Sequence, residues 1–119
     1  MKQFIIDIND NINSVIEKIL INGQRTVIVL NKNKVAGIIS EGDILKSMIY
    51  KKNFNSTLSS IMNKNFNYLK YENFDQKQVE KIFLKTLCHL IPVVDKDLKL
   101  KKVITLEDHL KKIFKKNEK

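Results

Sequence analysis

The amino-acid sequence predicts a mixed α/β (α+β) fold of two β-α-β-β-α repeats with pseudo-two-fold symmetry, the first over residues 1–62 and the second over residues 63–119. Three observations support this fold class. Short β-branched apolar runs alternate with segments whose apolar residues recur at helical spacing. The two halves of the chain contain these segments in the same order. The chain has 119 residues, which suits one domain, whereas a unit of roughly 60 residues is marginal on its own.

The first repeat begins with a short strand and a helix. The apolar run Phe4–Ile8 predicts the strand, and a polar break follows it. Ser14 and Glu17 have the spacing of a capping box at the start of the helix, and Gly23 suits its end because glycine readily adopts the left-handed C-cap conformation. The helix itself is predicted from apolar residues at helical spacing, which are Val15, Ile16, Ile19 and Leu20.

A hairpin and a second helix complete the repeat. Thr26–Leu30 is a continuous β-branched run of the kind found in strands buried on both faces, and Val35–Ile39 follows it after a polar turn. Apolar residues at helical spacing then follow Asp43. The second repeat has the same order, and its predicted elements are a weak strand at 66–69, a helix capped by Asp75, hairpin strands at 90–94 and 98–104, and a helix at 107–116.

The two repeats align in a definite register. From Arg25 onward, an offset of 65 residues places Val29 on Val94 and Ile38 on Val103, and the preceding helices align at an offset of 64. Face-to-face packing of the repeats is expected to provide the core that neither repeat has alone. The polar segment 51–65 between them is predicted to be a connector.

Composition excludes several classes of protein. One cysteine and two histidines make a disulfide framework and a structural zinc site unexpected. No apolar run is long enough to span a bilayer and no signal peptide is recognisable, which predicts a cytoplasmic protein without a membrane partner. The net charge is +9, but Arg25 is the one arginine among 22 basic residues, and nucleic-acid readers favour arginine. A basic nucleic-acid-binding domain is therefore a minor alternative.

Two pairs of hydroxyl and aspartate residues occupy equivalent places in the repeats. Ser40 and Asp43 coincide with Thr105 and Asp108, and each pair lies between the last strand and the last helix of its repeat. A hydroxyl and the free amides of a helix N-terminus can bind phosphate, and a carboxylate can accept hydrogen bonds from both hydroxyls of a ribose. Helix capping is the alternative, and the residues alone favour it slightly.

These segments resemble a known family. Gly37–Asp43 after its hairpin, together with Ile91–Asp95 leading to Val103–Asp108, resembles the tandem cystathionine-β-synthase (CBS) domain, or Bateman module, over nearly the whole chain. A narrower resemblance, carried by Ser40–Lys46 and Leu58–Asn65, is to the CBS pair fused N-terminally to sugar-phosphate nucleotidyltransferases. That subgroup has two arginines where this chain has Leu45-Lys46, and the CBS motif has glycine where the second repeat has Lys102.

The resemblance implies ligand sites in the two clefts between the repeats. They would hold AMP, ADP, ATP or S-adenosylmethionine, with no further cofactor. Ribose contacts are implied for Asp43 and Asp108, and phosphate or ribose contacts for Ser40 and Thr105. The remaining implied contacts are backbone groups around the base and a stacking ring, namely Arg25, Thr26, Ile91, Pro92 and Tyr68. Of the two lysines at departures from the family pattern, Lys46 could supply one charge for the phosphate, and Lys102 could either contact phosphate or block its cleft.

The other reactive residues favour structural roles. Cys88 is interpreted as a small core residue, His89 and His109 as surface or helix-end residues, and Asp95 and Asp97 as turn residues. No catalytic constellation is recognisable, so the chain by itself is not expected to be an enzyme. The leading hypothesis is a homodimeric regulatory CBS pair that binds a purine nucleotide and modulates a fused or partner enzyme, with a sugar-phosphate nucleotidyltransferase as the implied class. A ligand-free dimerisation module is the main alternative.

Overall fold

The computed structural model describes residues 1–50 and 57–117, which form two successive β-α-β-β-α units. The strands are β1 (Ile5–Asp7), β2 (Thr26–Asn31), β3 (Lys34–Ser40), β4 (Leu69–Lys70), β5 (Leu90–Val94) and β6 (Leu100–Thr105). The helices are α1 (Ile12–Asn22), α2 (Glu41–Ile49), α3 (Leu58–Ile61), α4 (Gln76–Thr86) and α5 (Leu106–Asn117). Part of the predicted connector, residues 51–56, lies outside the described residues, and the division between residues 62 and 63 stays a prediction.

Each repeat contains one three-stranded sheet of the same topology. In the first sheet β1 runs parallel to β2, and β2 runs antiparallel to β3. The second sheet repeats this arrangement with β4, β5 and β6. Both hairpins also have an irregularity at the equivalent place, between Val29 and Leu30 and between Val93 and Val94. The predicted fold class of two like repeats is confirmed.

The register of the repeat differs by one residue from the prediction. Thr26 pairs with Ser40, and its counterpart Leu90 pairs with Thr105. The offset is therefore 64 residues along β2 and becomes 65 only from β3 onward, so the prediction of 65 from Arg25 was wrong for β2. The extra residue lies in the turn of the second hairpin, where a longer loop is accommodated without changing the strands.

The start of α1 also differs from the prediction. Asn11 has extended backbone, and its side chain accepts a hydrogen bond from the Ser14 amide at 2.9 Å. Asn11 is therefore the N-cap, and the capping box predicted for Ser14 and Glu17 was wrong because Ser14 lies in the first turn of the helix. The predicted C-cap is confirmed, since Gly23 has a φ of 67° and its amide donates to the Ile19 carbonyl at 3.1 Å.

Three apolar clusters form the core. One belongs to the first repeat and includes residues of β2, β3 and α1 together with Leu58 and Ile61 of α3. A second belongs to the second repeat and surrounds Phe83. The third joins the two sheets through buried residues of both repeats, Ile28, Val35, Leu90 and Val94. Fully burying a side chain of this size contributes roughly 1.5–3 kcal/mol, so the expected face-to-face packing stabilises both repeats.

Backbone contacts reinforce the packing of the two sheets. The Val35 amide donates to the Leu98 carbonyl at 2.9 Å, and Lys34 and Lys99 form an isolated antiparallel bridge. Neither repeat therefore stands apart from the other.

None of the helices within residues 1–50 and 57–117 combines the length and the apolar character needed to cross a bilayer.

Candidate functional site between the repeats

A cleft of about 400 Å³, here called the open cleft, lies between the two repeats. The first repeat contributes Arg25 and Thr26 before and at the start of β2, and Ser40–Gly42 at the start of α2. The second repeat contributes residues 86–90, which lead from α4 into β5. The segment before β4 adds a third wall, formed by Asn63, Phe66 and Asn67.

The N-terminus of α2 is held in place by a reciprocal capping box. The Ser40 hydroxyl accepts a hydrogen bond from the Asp43 amide at 3.2 Å. The Asp43 Oδ2 in turn accepts from the Ser40 amide at 2.9 Å and from the Ser40 hydroxyl at 3.0 Å. These bonds satisfy helix-end donors and fix the direction in which the remaining amides of α2 point. Ser40 and Asp43 therefore cap α2 in the structure.

The equivalent residues of the second repeat cap α5. The Thr105 hydroxyl oxygen accepts from the Asp108 amide at 3.0 Å. Each repeat also joins its last helix to the residue before its central strand. The Glu41 amide donates to the Arg25 carbonyl at 3.0 Å, and the Leu106 amide donates to the His89 carbonyl at 2.8 Å.

On the other side of the pseudo-two-fold axis, an exposed side-chain contact links the two repeats. Gln24 Nε2 donates to Glu107 Oε2 at 3.0 Å, which links the loop before β2 to the first turn of α5. Glu107 also forms an ion pair with Lys111 at 3.2 Å. The hydrogen bond from Lys111, followed by that from Gln24, lowers the pKa of Glu107. The counterparts of this pair in the open cleft are Cys88 and Gly42, and glycine has no side chain to complete such a contact.

The structure separates the predicted ligand contacts. Arg25, Thr26 and Ser40 line the open cleft, and half-buried Asp43 lies behind Ser40 in the capping box. The side chains of Ile91 and Pro92 are fully buried in β5. Lys46 is exposed on α2, and exposed Tyr68 has its ring centroid 5.7 Å from that of Phe66. Thr105 is buried as the cap of α5, while Lys102 and Asp108 line a different groove within the second repeat.

Sequence reasoning missed the wall formed by the segment before β4. Asn63 forms an antiparallel bridge with Ile38, and this long-range contact brings Phe66 and Asn67 to the cleft. Gly37 makes the approach possible, because a Cβ at this position would lie 2.8 Å from the Asn63 carbonyl oxygen. A glycine within a predicted strand was the available signal, since it often marks a close approach of another backbone.

The two histidines have different environments. His89 is half-buried and lines the open cleft. His109 is only 4% exposed, with its ring centroid 5.3 Å from that of Phe83 and its Nδ1 3.4 Å from Gln76 Nε2. The interpretation of His109 as a surface residue was wrong, because it takes the core-facing position that Ile44 has in the first repeat.

The remaining predictions for reactive residues concern Cys88 and the turn aspartates. Cys88 is half-buried, packs against the second core cluster and lines the open cleft. Asp95 is confirmed as a turn residue, because its Oδ1 accepts from the amides of Asp97 at 2.8 Å and Lys99 at 3.0 Å. The hydrogen bond from the Lys99 amide is the main reason that the pKa of Asp95 is lowered.

Comparison with known proteins shows what the chain resembles. Residues 1–50 match the family model for the CBS domain. The crystal structure of CBSX2 in complex with AMP is 15% identical, with a TM-score of 0.80 over 98% of this chain and 91% of that chain. Protein MJ1225 of Methanocaldococcus jannaschii, described as an archaeal homologue of γ-AMPK, is 26% identical, with a TM-score of 0.80 over 93% of this chain and 46% of that chain.

A third similar structure is the CBS domain pair of protein MJ0100 in complex with 5′-methylthioadenosine and S-adenosyl-L-methionine. It is 22% identical, with a TM-score of 0.78 over 96% of this chain and 89% of that chain. No curated protein matches the chain. Residues 1–50 therefore match the CBS domain family, and the two repeats together have the fold of a CBS pair.

Proposed function

We propose that this chain is a regulatory module that binds an adenosine nucleotide in the open cleft. The observation that carries the proposal is the convergence of a guanidinium group, a capped helix N-terminus and an aromatic ring in one cleft between the repeats, contributed by Arg25, Ser40–Gly42 and Phe66. A cation and helix N-terminal amides bind phosphate, and an aromatic ring provides a surface on which a base can stack. The AMP bound to CBSX2 and the two adenosine compounds bound to MJ0100 support this ligand class.

Asp43 is proposed to accept hydrogen bonds from the ribose. Among the described residues, its hydrogen bonds go to Oδ2, which leaves Oδ1 for the sugar hydroxyls. We assign one ligand to each chain, because the Gln24–Glu107 contact lies at the equivalent place on the other side and would compete with a ligand there. Of the other implied contacts, Thr105 caps α5 on that second side, whereas Asp108 and Lys102 line a separate groove within the second repeat.

The regulatory step follows from the position of the ligand. A nucleotide in the open cleft contacts both repeats, so it favours the arrangement of the repeats that it binds best. An attached or partner enzyme would respond to this arrangement. The resemblance of Ser40–Lys46 to the subgroup fused to sugar-phosphate nucleotidyltransferases makes that enzyme class the proposed partner.

A dimerisation module without a ligand is the second candidate function. Four helices expose large apolar side chains, and exposed apolar patches of this kind mark interfaces. The most exposed of them are Leu20, Ile21, Ile49 and Leu84. We propose that these faces of α1, α2 and α4, continued by α5, form a homodimer whether or not a ligand is bound.

Calorimetric titration of the chain with AMP, ADP, ATP and S-adenosylmethionine tests the proposed function. The expected result is binding of one of these ligands with a stoichiometry of one per chain. Arg25→Gln is expected to weaken binding about tenfold because it removes a charge next to the phosphate, whereas Lys81→Gln on the exposed surface of α4 serves as the matched control. Absence of binding at about 1 mM of every ligand would leave the dimerisation module as the function.

A further inference from the structure

A second concave surface lies within the second repeat, away from the open cleft. It is formed by residues 102–104 of β6, residues 108–115 of α5 and the ring of Phe74, and it is called the basic groove here. Its volume is about 600 Å³. Lysines from both elements line it, whereas Asp108 is the one carboxylate among the described residues that do so.

The equivalent surface of the first repeat is covered by the chain itself. Leu58 and Ile61 are 0% and 8% exposed, and they pack in the first core cluster with Ile39 and Ile44. Asn63 then pairs with Ile38 through two backbone hydrogen bonds of 3.1 and 2.8 Å. Residues 58–63 therefore form a peptide segment seated on β3 and α2.

The second repeat lacks such a segment within the part of the chain that the structure describes. At the offset of 65, Ile38, Ile39 and Ile44 correspond to Val103, Ile104 and His109, which all line the basic groove. Segment 58–63 has no described counterpart seated on these residues, and the surface remains an open groove. The second repeat thus has an equivalent surface that no segment of residues 1–50 or 57–117 covers.

The lining of this groove is more basic than the equivalent surface of the first repeat, which has Lys46 where the groove has Lys111. Gly37, Ser47 and Tyr50 of the first repeat correspond to Lys102, Lys112 and Lys115, which are all exposed at the groove. A Cβ at position 37 would lie 2.8 Å from the Asn63 carbonyl. A main chain cannot approach Lys102 as closely as Asn63 approaches Gly37, so an occupant is held by its side chains rather than by the same backbone pairing.

We propose that the basic groove binds a short acidic peptide segment of a partner protein, with apolar side chains as anchors. The first repeat already holds a peptide on the equivalent surface through leucine and isoleucine side chains. Ile104 and Phe74 supply an apolar floor for such anchors, and the lysines supply complementary charge for carboxylates. This interaction is separate from the nucleotide site and does not depend on it.

The segment that covers the first repeat supplies the probe. A capped heptapeptide, Asp-Leu-Glu-Asp-Ile-Met-Asp, keeps the apolar residues of segment 57–63 and replaces its polar residues with acidic ones. Titration of the isotope-labelled full chain is expected to shift the amide resonances of residues 102–104 and 108–112 and to leave those of Arg25 and Ser40 unchanged. The unmodified peptide, Thr-Leu-Ser-Ser-Ile-Met-Asn, is expected to bind about tenfold more weakly because it lacks the charge.

Two pairs of variants separate the groove from general charge effects. Lys112→Glu combined with Lys115→Glu is expected to weaken binding of the acidic peptide at least about tenfold, whereas Lys81→Glu combined with Lys85→Glu on α4 is expected to leave it unchanged. Nucleotide binding is expected to be the same in both, which distinguishes failure of this proposal from failure of the proposed function. Equal binding of the two peptides, no shifts at residues 102–112, or equally strong binding of an oligothymidylate of matched charge at the groove would overturn the peptide proposal.

Discussion

Gln24 and Glu107 are joined by a side-chain hydrogen bond of 3.0 Å that connects the first repeat to the last helix of the second. The repeat alignment gives Cys88 and Gly42 as their counterparts, and these residues cannot form the same contact. The two sides share a backbone design but differ at this pair of side chains, which contributes to the asymmetry of the module.

The Gln24–Glu107 contact is expected to depend on pH. Because hydrogen bonds from Lys111 and Gln24 lower the pKa of Glu107, the folded state favours the carboxylate. Its contribution to stability is present above the pKa of the unfolded chain and is lost as the pH falls through the lower, folded pKa. An acid titration followed by the side-chain amide resonance of Gln24 should show a transition below the usual range of glutamate, and Glu107→Gln should abolish it.

Stoichiometry provides a second test of the asymmetry. Glu107→Ala removes the contact that we propose competes with a ligand on the second side, so calorimetry is expected to change from one to two ligands per chain. Lys99→Ala, in the turn of the second hairpin, is a control that should retain one. A stoichiometry of two for the unmodified chain would contradict the asymmetric assignment.

Gly37 and Gly42 are expected to respond oppositely to alanine. At Gly37 the new Cβ would lie 2.8 Å from the Asn63 carbonyl oxygen and 3.0 Å from the Met62 sulfur, and such overpacking typically costs about 1–3 kcal/mol. At Gly42 the nearest atom is the Ser40 hydroxyl oxygen at 3.6 Å, so alanine in α2 should be neutral or stabilise by about 0.5–1 kcal/mol. Urea unfolding of both variants measures the difference, and equal stabilities would refute the close approach at Gly37.

The start of α1 can be tested in the same way. Asn11→Ala is expected to cost about 1 kcal/mol because it removes the acceptor for the Ser14 amide. Ser14→Ala keeps the amide that donates this bond and should cost much less. A larger loss for Ser14→Ala would restore Ser14 as the cap.

Substitution of one exposed leucine is expected to convert the proposed dimer into a monomer. Leu84 is 82% exposed on α4, so Leu84→Glu should not disturb the monomer but should place charges in the apolar interface. Sedimentation velocity is expected to show a dimer for the unmodified chain and a monomer for this variant. Lys85→Glu, at a neighbouring exposed position, should remain dimeric, and an unmodified chain that is already monomeric would exclude the interface.

The fold was predictable from sequence because β-branched runs and helical spacing are local signals, repeated in the same order. The predicted repeat offset was wrong by one residue along β2. The extra residue lies in the turn near Lys99, and it does not change the sequence pattern of the adjacent strands. The site was less predictable. Arg25 and Ser40 border the open cleft as expected, but Phe66 reaches it through the pairing of Asn63 with Ile38, which no local pattern encodes.

The cluster that joins the two sheets restricts how far the repeats can move. Ile28 and Leu90 are 0% and 2% exposed, and wide separation of the repeats would place both in water. At roughly 1.5–3 kcal/mol for each such side chain, large opening is costly compared with a small tilt about the shared core. Under the proposed regulatory function, a signal passed through this module would therefore be of low amplitude, and a receiving enzyme would have to detect a change of angle rather than the detachment of a domain.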